Sequence, residues 1–156
     1  MNNILFICTG NYYRSRFAEI VFNDVAKRQK IAATAYSRGF RLNPAKNEGI
    51  LSPHAISYLS LLSISFDHPG QPTRLAAADL QSASVIIVLD EKEHRPMMKQ
   101  FFPDWEDKVR YWNFEDDYLV SPSNVLPALK DKVLDLATSL ANETHGARAG
   151  GMQASR

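Results

Sequence analysis

The segment Cys8-Thr9-Gly10-Asn11-Tyr12-Tyr13-Arg14-Ser15 places a thiol six residues ahead of an arginine, with a serine directly after it. A thiolate is a strong nucleophile, and a planar guanidinium offers paired N–H donors to two oxygens of a tetrahedral anion. A serine hydroxyl close to the sulfur can stabilise it both as nucleophile and as leaving group. These three residue types together suit transfer of an oxyanionic group to sulfur. Cys8 is the only cysteine of the chain, so it can form neither an internal disulfide nor a thiolate metal cluster. At average composition, arginine six positions after a given cysteine with Ser or Thr next arises in roughly one sequence per 100 to 200.

Nucleophile and donor must be held by rigid elements. Residues 4–7 (ILFI) are continuously apolar and run straight into Cys8; residues 85–89 (VIIVL) have the same character. Such runs suit strands covered on both faces of a parallel sheet. Shorter runs at 34–36 and 109–112 complete four expected strands. Between them lie helical patterns. Phe17, Ile20, Val21 and Val25 recur at helix spacing, and Ser52-Pro53 opens a second helix carrying Ala55, Leu59 and Leu62. Two shorter helices are expected around 74–81 and 91–101. A longer one is expected at 123–141, with Val125, Leu129, Val133, Leu136 and Leu140 on one stripe.

Alternating strands and helices imply a doubly wound α/β sheet, in which sites form beyond the carboxyl ends of the strands. Cys8 stands at such an end. Thr9, Gly10 and Asn11 permit tight or left-handed backbone before a helix start at Arg14-Ser15. A turn of this kind points backbone N–H groups inward, and with the positive end of the helix dipole it forms an oxyanion cradle over the sulfur.

Length and composition set bounds on partners. The chain has 156 residues, suited to one domain over residues 1–141, and a tail over 142–156 that loses apolar periodicity and is expected to be flexible. Residues 38–51 and 66–73 are rich in Gly, Pro and Asn and read as surface loops. A net charge of +1 argues against a nucleic-acid partner. No apolar run is long enough for a membrane partner. Met1-Asn2-Asn3 leads directly into a strand without a signal segment. A cytoplasmic, reduced protein is the expectation.

The stretch from Cys8 to Ser15 resembles the phosphate-binding loop of the low-molecular-weight protein tyrosine phosphatases. The resemblance covers roughly residues 3–141, with Ser37-Arg38-Gly39 after the second strand and Leu89-Asp90 closing the third in family order. It implies a single three-layer α/β/α domain with a four-stranded parallel sheet in the order 2-1-3-4 and the phosphate-binding loop after strand 1. It also implies metal-independent hydrolysis of phosphotyrosine, an aryl phosphomonoester, through a covalent phospho-cysteine, with no cofactor. Phosphotyrosine-containing proteins or small aryl phosphates would be substrates, and phosphate and vanadate inhibitors. In this resemblance Cys8 is the nucleophile, Arg14 binds phosphate and Ser15 tunes the thiolate. Asn11 holds the strained turn, Ser37 supports it, and Thr9, Gly10, Tyr12 and Tyr13 complete the loop.

The family's general acid is an Asp in a loop after the fourth strand, usually within Asp-Pro-aromatic. Here Glu115-Asp116-Asp117-Tyr118 occupies that place, which selects Asp116, with Asp117 as the alternative acid standing where the proline is expected. Tyr12 and Tyr13 replace what are commonly an aliphatic residue and a second cysteine. Tyr12, Phe40 and Tyr118 are candidate substrate-wall residues, with Trp112 a further aromatic candidate, while Tyr13 is expected to pack inward. Arg16, Arg38, Arg41 and Lys46 could form a basic collar around the mouth.

Arsenate reductases share this fold and loop, but a lone cysteine cannot relay oxidation within the chain, so that reading requires an external thiol. An inactive phosphotyrosine- or phosphate-binding module would keep the cradle and lack the acid. No metal site is expected: Glu91, Glu93 and His94 lie on one helix and read as spread around its surface, and His54, His68 and His145 read as surface residues. A nucleotide P-loop motif is absent from the sequence.

Overall fold

In the computed structural model, which describes the backbone of residues 2–66 and 69–154 and side chains as far as residue 143, the sheet is built outward from its first strand. β1 (Asn2–Cys8) pairs in parallel with β2 (Ala33–Gly39) on one side and with β3 (Val85–Val88) on the other; β4 (Arg110–Tyr111) adds to β3. The order is β2-β1-β3-β4, as the family resemblance implied. Register brings Cys8 opposite Gly39 and Ile7 opposite Val88, so three strands end together at the sheet's carboxyl edge.

Ile4 to Ile7 are fully buried because helices cover both faces of β1. Ile4, Phe6 and Cys8 face a core shared with α1 (Arg14–Gln29), α2 (Pro53–Leu61) and α5 (Pro122–Ala154). Leu5 and Ile7 face a smaller core with Leu80 of α3 (Ala77–Ser82) and Met98 of α4 (Glu91–Phe101). The apolar stripe of α5 packs through Leu140.

Several boundaries depart from the sequence reading. The fourth strand is shorter than the expected 109–112: only Arg110 and Tyr111 pair with β3 in register, while Trp112 still donates its amide to the Val88 carbonyl at 2.8 Å and packs its ring against Phe6 and Phe114 at 6.0 and 5.9 Å. The third helix starts later than the expected residue 74, because Arg74 pairs with the end of β2 at Gly39. The backbone of α5 stays helical through Ala154, past the loss of periodicity at Asn142; the flexibility expected for the 142–156 tail stays an expectation. His68 and the side chain of His145 lie outside the described residues. Among the described residues, no helix is long and apolar enough to cross a membrane.

Candidate active site

β1 delivers Cys8, 2% exposed, to the carboxyl edge of the sheet, and residues 9–13 wrap from it into α1. The end of β2 braces this loop: Phe40 and Arg41 donate their amides to the Cys8 and Thr9 carbonyls at 3.1 and 2.9 Å. The approach is close enough to demand glycine. A Cβ on Gly39 would lie 2.7 Å from the Thr9 carbonyl oxygen and 2.8 Å from the Asn11 nitrogen.

The left-handed residue of the loop is Asn11, at φ 51°. Its buried side chain compensates that conformation by using both N–H donors and its carbonyl oxygen. Oδ1 accepts from the Thr73 amide at 2.8 Å, and Nδ2 donates to Ser15 Oγ and Ser37 Oγ, each at 2.9 Å. Ser37 donates its hydroxyl hydrogen bond to Glu19, whose carboxyl is pushed up by burial despite that bond. Ser15 Oγ, which accepts from Asn11, lies 2.9 Å from Cys8 Sγ, within reach to donate its proton to the sulfur when that is a thiolate. The network terminates at the sulfur.

α1 begins at Arg14 with no side-chain cap and no acidic residue in its first turn. The first helical amides have no intrahelical acceptor, and the amides of Gly10 to Tyr13 meet no backbone or side-chain acceptor among the described residues. Unengaged amide donors in the loop that runs from Cys8 into a helix N-terminus suit a tetrahedral oxyanion.

Arg14, also 2% exposed, spans the site. Its Nη1 donates to the Phe114 carbonyl at 2.8 Å and to Glu93 Oε1 at 3.2 Å, and its Nη2 donates to Glu93 Oε2 at 2.9 Å. Asp116 Oδ2 is 3.4 Å from Nη2. Nε is buried without a partner. The edge formed by Nε and Nη2 is therefore the one that Glu93 and Phe114 leave for an anion, with Asp116 beside its Nη2 end. Burial opposes the Arg14 charge, but Cys8, Glu93 and Asp116 outweigh it and hold the guanidinium protonated.

The cleft above the loop encloses about 560 Å³. On one side stand Arg41, Leu42, Asn43, Lys46 and Asn47; on the other stand Asp116, Asp117 and Tyr118. Tyr12 joins the first wall to the loop: its hydroxyl donates to the Glu48 carbonyl at 2.9 Å and accepts from the Glu48 amide at 2.7 Å. Asp116 faces Arg14, whereas the nearest ion-pair partner of Asp117 is His54 Nε2, 4.0 Å away on the outer side. Tyr13 packs inward with its edge toward the His54 ring, its hydroxyl is buried without a partner, and burial and the neighbouring Asp117 push that phenol up.

The structure separates the candidates that sequence reasoning grouped. Cys8, Thr9, Gly10, Tyr12, Tyr13, Arg14, Asp116, Asp117 and Tyr118 all line the cleft, and Asn11, Ser15 and Ser37 lie behind it. Phe40 is not a wall residue. It is buried between the His94 and Phe101 rings, at 5.8 and 6.4 Å, because β2 turns it into the smaller core. Trp112 belongs to the main core. The basic collar reduces to Arg41 and Lys46: Arg16 is buried and donates to the Gly70 carbonyl, and Arg38 pairs with Asp79 at 3.2 Å.

Glu93 and His94, read from sequence as surface charges, instead turn into the site. His94 is fully buried. Its Nδ1 accepts from the Asp90 amide at 3.0 Å, which fixes the ring proton on Nε2, itself 3.0 Å from both Glu93 Oε2 and Thr9 Oγ1. Thr9 donates its hydroxyl proton to Glu93 Oε2. Burial pushes the Glu93 carboxyl up, but the bonds from His94 and Arg14 prevail and hold it well below the usual carboxylate range.

Residues 3–145 match the family model described as low molecular weight phosphotyrosine protein phosphatase. A protein-arginine-phosphatase of Bacillus subtilis (strain 168) is 30% identical over 107 residues, covering 69% of this chain and 67% of that protein. Among solved structures, the low molecular weight protein tyrosine phosphatase of Streptococcus pyogenes superposes with a TM-score of 0.74 at 18% identity, covering 90% of this chain and 93% of that one. The YwlE arginine phosphatase of Geobacillus stearothermophilus superposes with a TM-score of 0.69 at 22% identity, covering 96% and 97%.

Proposed function

We propose, for a chain that belongs to the low molecular weight phosphotyrosine protein phosphatase family, that its substrate is phosphotyrosine and that Asp116 is its general acid. The observation that carries the reading is buried Arg14, whose Nε has no partner, beside a sulfur 2.9 Å from the Ser15 hydroxyl. Phosphoryl oxygens take the loop amides and the Nε–Nη2 edge of Arg14, which leaves phosphorus in line with Cys8. The sulfur attacks, the S–P bond forms, and the bond to the aryl oxygen breaks as Asp116 delivers a proton to it. Asp116, now a carboxylate, takes a proton from water as the water oxygen attacks phosphorus. The S–P bond then breaks and its electrons return to the sulfur, which Ser15 stabilises. One carboxyl group thus serves as acid and then as base. The neighbouring Arg41 and Lys46 attract phosphorylated protein, and free phosphate and vanadate compete for the cradle. A single free thiol suits a reducing, cytoplasmic setting.

A second reading takes phosphoarginine as the substrate. It is favoured by the arginine phosphatase relative and by Asp117, an additional carboxylate on the cleft where the family pattern expects proline. Two adjacent carboxylates can accept from the several N–H groups of a departing guanidinium, whereas a departing phenol offers only the single O–H that the acid has just supplied.

Phosphate release from a phosphotyrosine peptide and from a matched phosphoarginine peptide, with EDTA present and with vanadate as inhibitor, decides between them. Vanadate-sensitive release from the tyrosine peptide with little from the arginine peptide supports the first reading, and the reverse supports the second. Release from neither, together with thiol-dependent arsenate reduction, would replace both with a reductase; phosphate binding without either reaction would mark an inert binder.

A further inference from the structure

We infer that Glu93 is the positioning residue for Arg14, gripping the two Nη groups of its guanidinium so that the Nε–Nη2 edge faces the bound phosphoryl group. The inference rests on the phosphoryl-transfer reading above.

Three edges of a guanidinium can receive an acceptor. Glu93 takes the far end, Nη1 to Oε1 at 3.2 Å and Nη2 to Oε2 at 2.9 Å, while Phe114 takes the remaining Nη1 hydrogen through its carbonyl at 2.8 Å. Acceptors from beyond β3 and beyond β4 thus fix both the plane and the rotation of the group. Glu93 does not occupy the edge that phosphate needs: Nε has no partner, and the further acceptor near Nη2 is Asp116 Oδ2 at 3.4 Å. It acts from the side opposite the ligand.

Glu93 is itself held. Thr9 donates to Oε2 from within the phosphate loop, and His94 Nε2–H approaches the same oxygen at 3.0 Å. His94 cannot swing away: the Asp90 amide holds Nδ1 and the Phe40 ring covers its face at 5.8 Å. Through Thr9, the carboxylate also ties the loop that carries Cys8 to the arginine that opens α1. A full negative charge beside Arg14 has an electrostatic consequence: it weakens the attraction for a phosphate dianion while it fixes the geometry that turnover requires. Positioning and ground-state affinity therefore oppose each other at this residue, and substitution should separate them.

Glutamine keeps the size of Glu93 but offers one acceptor oxygen, so only half of the grip survives. We expect Glu93→Gln to lower kcat on an aryl phosphate by about tenfold to a hundredfold, the scale of a misoriented catalytic group. Inorganic phosphate, measured both as inhibitor and by calorimetry, should bind as tightly as to the wild type or tighter. Glu93→Asp, with its charge kept and its reach shortened, should lose kcat similarly without tightening phosphate. In protein with nitrogen-labelled arginine, the Arg14 Nε–H signal of the phosphate complex should be sharp in the wild type and broadened in both variants. Retention of kcat within about twofold, or loss of phosphate affinity in step with kcat, overturns the proposal. Should the glutamine variant fail to fold, the aspartate variant decides, full kcat there being the overturning result. Should the wild type bind phosphate but hydrolyse nothing, the phosphatase reading fails and the arginine signal alone judges Glu93.

Discussion

Cys8 Sγ and Ser15 Oγ stand 2.9 Å apart, and Asn11 Nδ2 donates to the same serine oxygen from 2.9 Å. A thiolate offers only an acceptor, so in the attacking and departing states of the sulfur the serine hydroxyl is the donor.

Ser15→Ala removes one bond to a charged acceptor, typically about 1.5–3 kcal/mol, or roughly ten- to hundredfold in rate. The loss should fall hardest on release of the thiolate from phosphorus. Rapid-quench measurements should therefore find phospho-cysteine accumulating in this variant, and unchanged kcat would remove Ser15 from the mechanism.

Cys8→Ser exchanges the thiol nucleophile for a hydroxyl, a far weaker one toward phosphorus, so turnover of aryl phosphate should vanish. The free loop amides and the open Arg14 edge remain, and calorimetry should still detect phosphate. Near-wild-type activity would mean that another group attacks phosphorus.

The acid is tested through the leaving group. Asp116→Asn should slow esters of poorly departing alcohols by at least about a hundredfold while affecting p-nitrophenolate far less. Asp117→Asn should show no such slope, because Asp117 faces His54 and not Arg14. If only the Asp117 variant depends on the leaving group, the assignments reverse.

Tyr12→Phe deletes both hydrogen bonds to Glu48 but keeps the ring. At about 1 kcal/mol each, their loss should release the wall that carries Asn43 and Lys46 and raise KM for a phosphopeptide about fivefold or more. Small aryl phosphates, which need less of that wall, should change little. Equal losses on both substrates would show that Tyr12 serves the loop itself.

Glu93 also makes a pH prediction. Its carboxyl sits well below its ordinary value of 4.5. Such a group contributes stability that is present above the ordinary value and is lost as pH falls toward the lowered one. The melting temperature of Glu93→Gln should thus trail the wild type near neutral pH, and the gap should close as the medium turns acidic. A gap independent of pH would mean that the Glu93 charge is not what holds Arg14.

The spacing of Cys8, Arg14 and Ser15 was readable because the chemistry is local: one loop and one helix turn carry it. The sheet was readable for a similar reason, since ILFI and VIIV can be so apolar only where both faces are covered. Glu93 and His94 were not. Glu91 and Arg95 do pair on the surface of α4 at 2.9 Å, and Glu93 reads like them until the helix is docked on the sheet. A faint signal existed in His94 and Met98, one turn apart and both fully buried, which mark the inward face. Phe40 failed in the opposite direction. Its place after Gly39 suggested the cleft, but the bracing of the loop turns it into the core beside His94. The choice between Asp116 and Asp117 rested on a single residue of register, which their different neighbours, Arg14 and His54, now favour resolving toward Asp116.

Tyr13 has a consequence for how long the protein stays active. Peroxide converts a reactive thiolate to sulfenic acid, which a nearby thiol can trap as a disulfide before oxidation proceeds further. This chain has a single cysteine, and a buried phenol occupies the loop position next to Arg14. An oxidised Cys8 therefore has no thiol partner within the chain, and capture as a disulfide needs a dissolved thiol. Recovery by that route is set by the supply of small thiols around the protein.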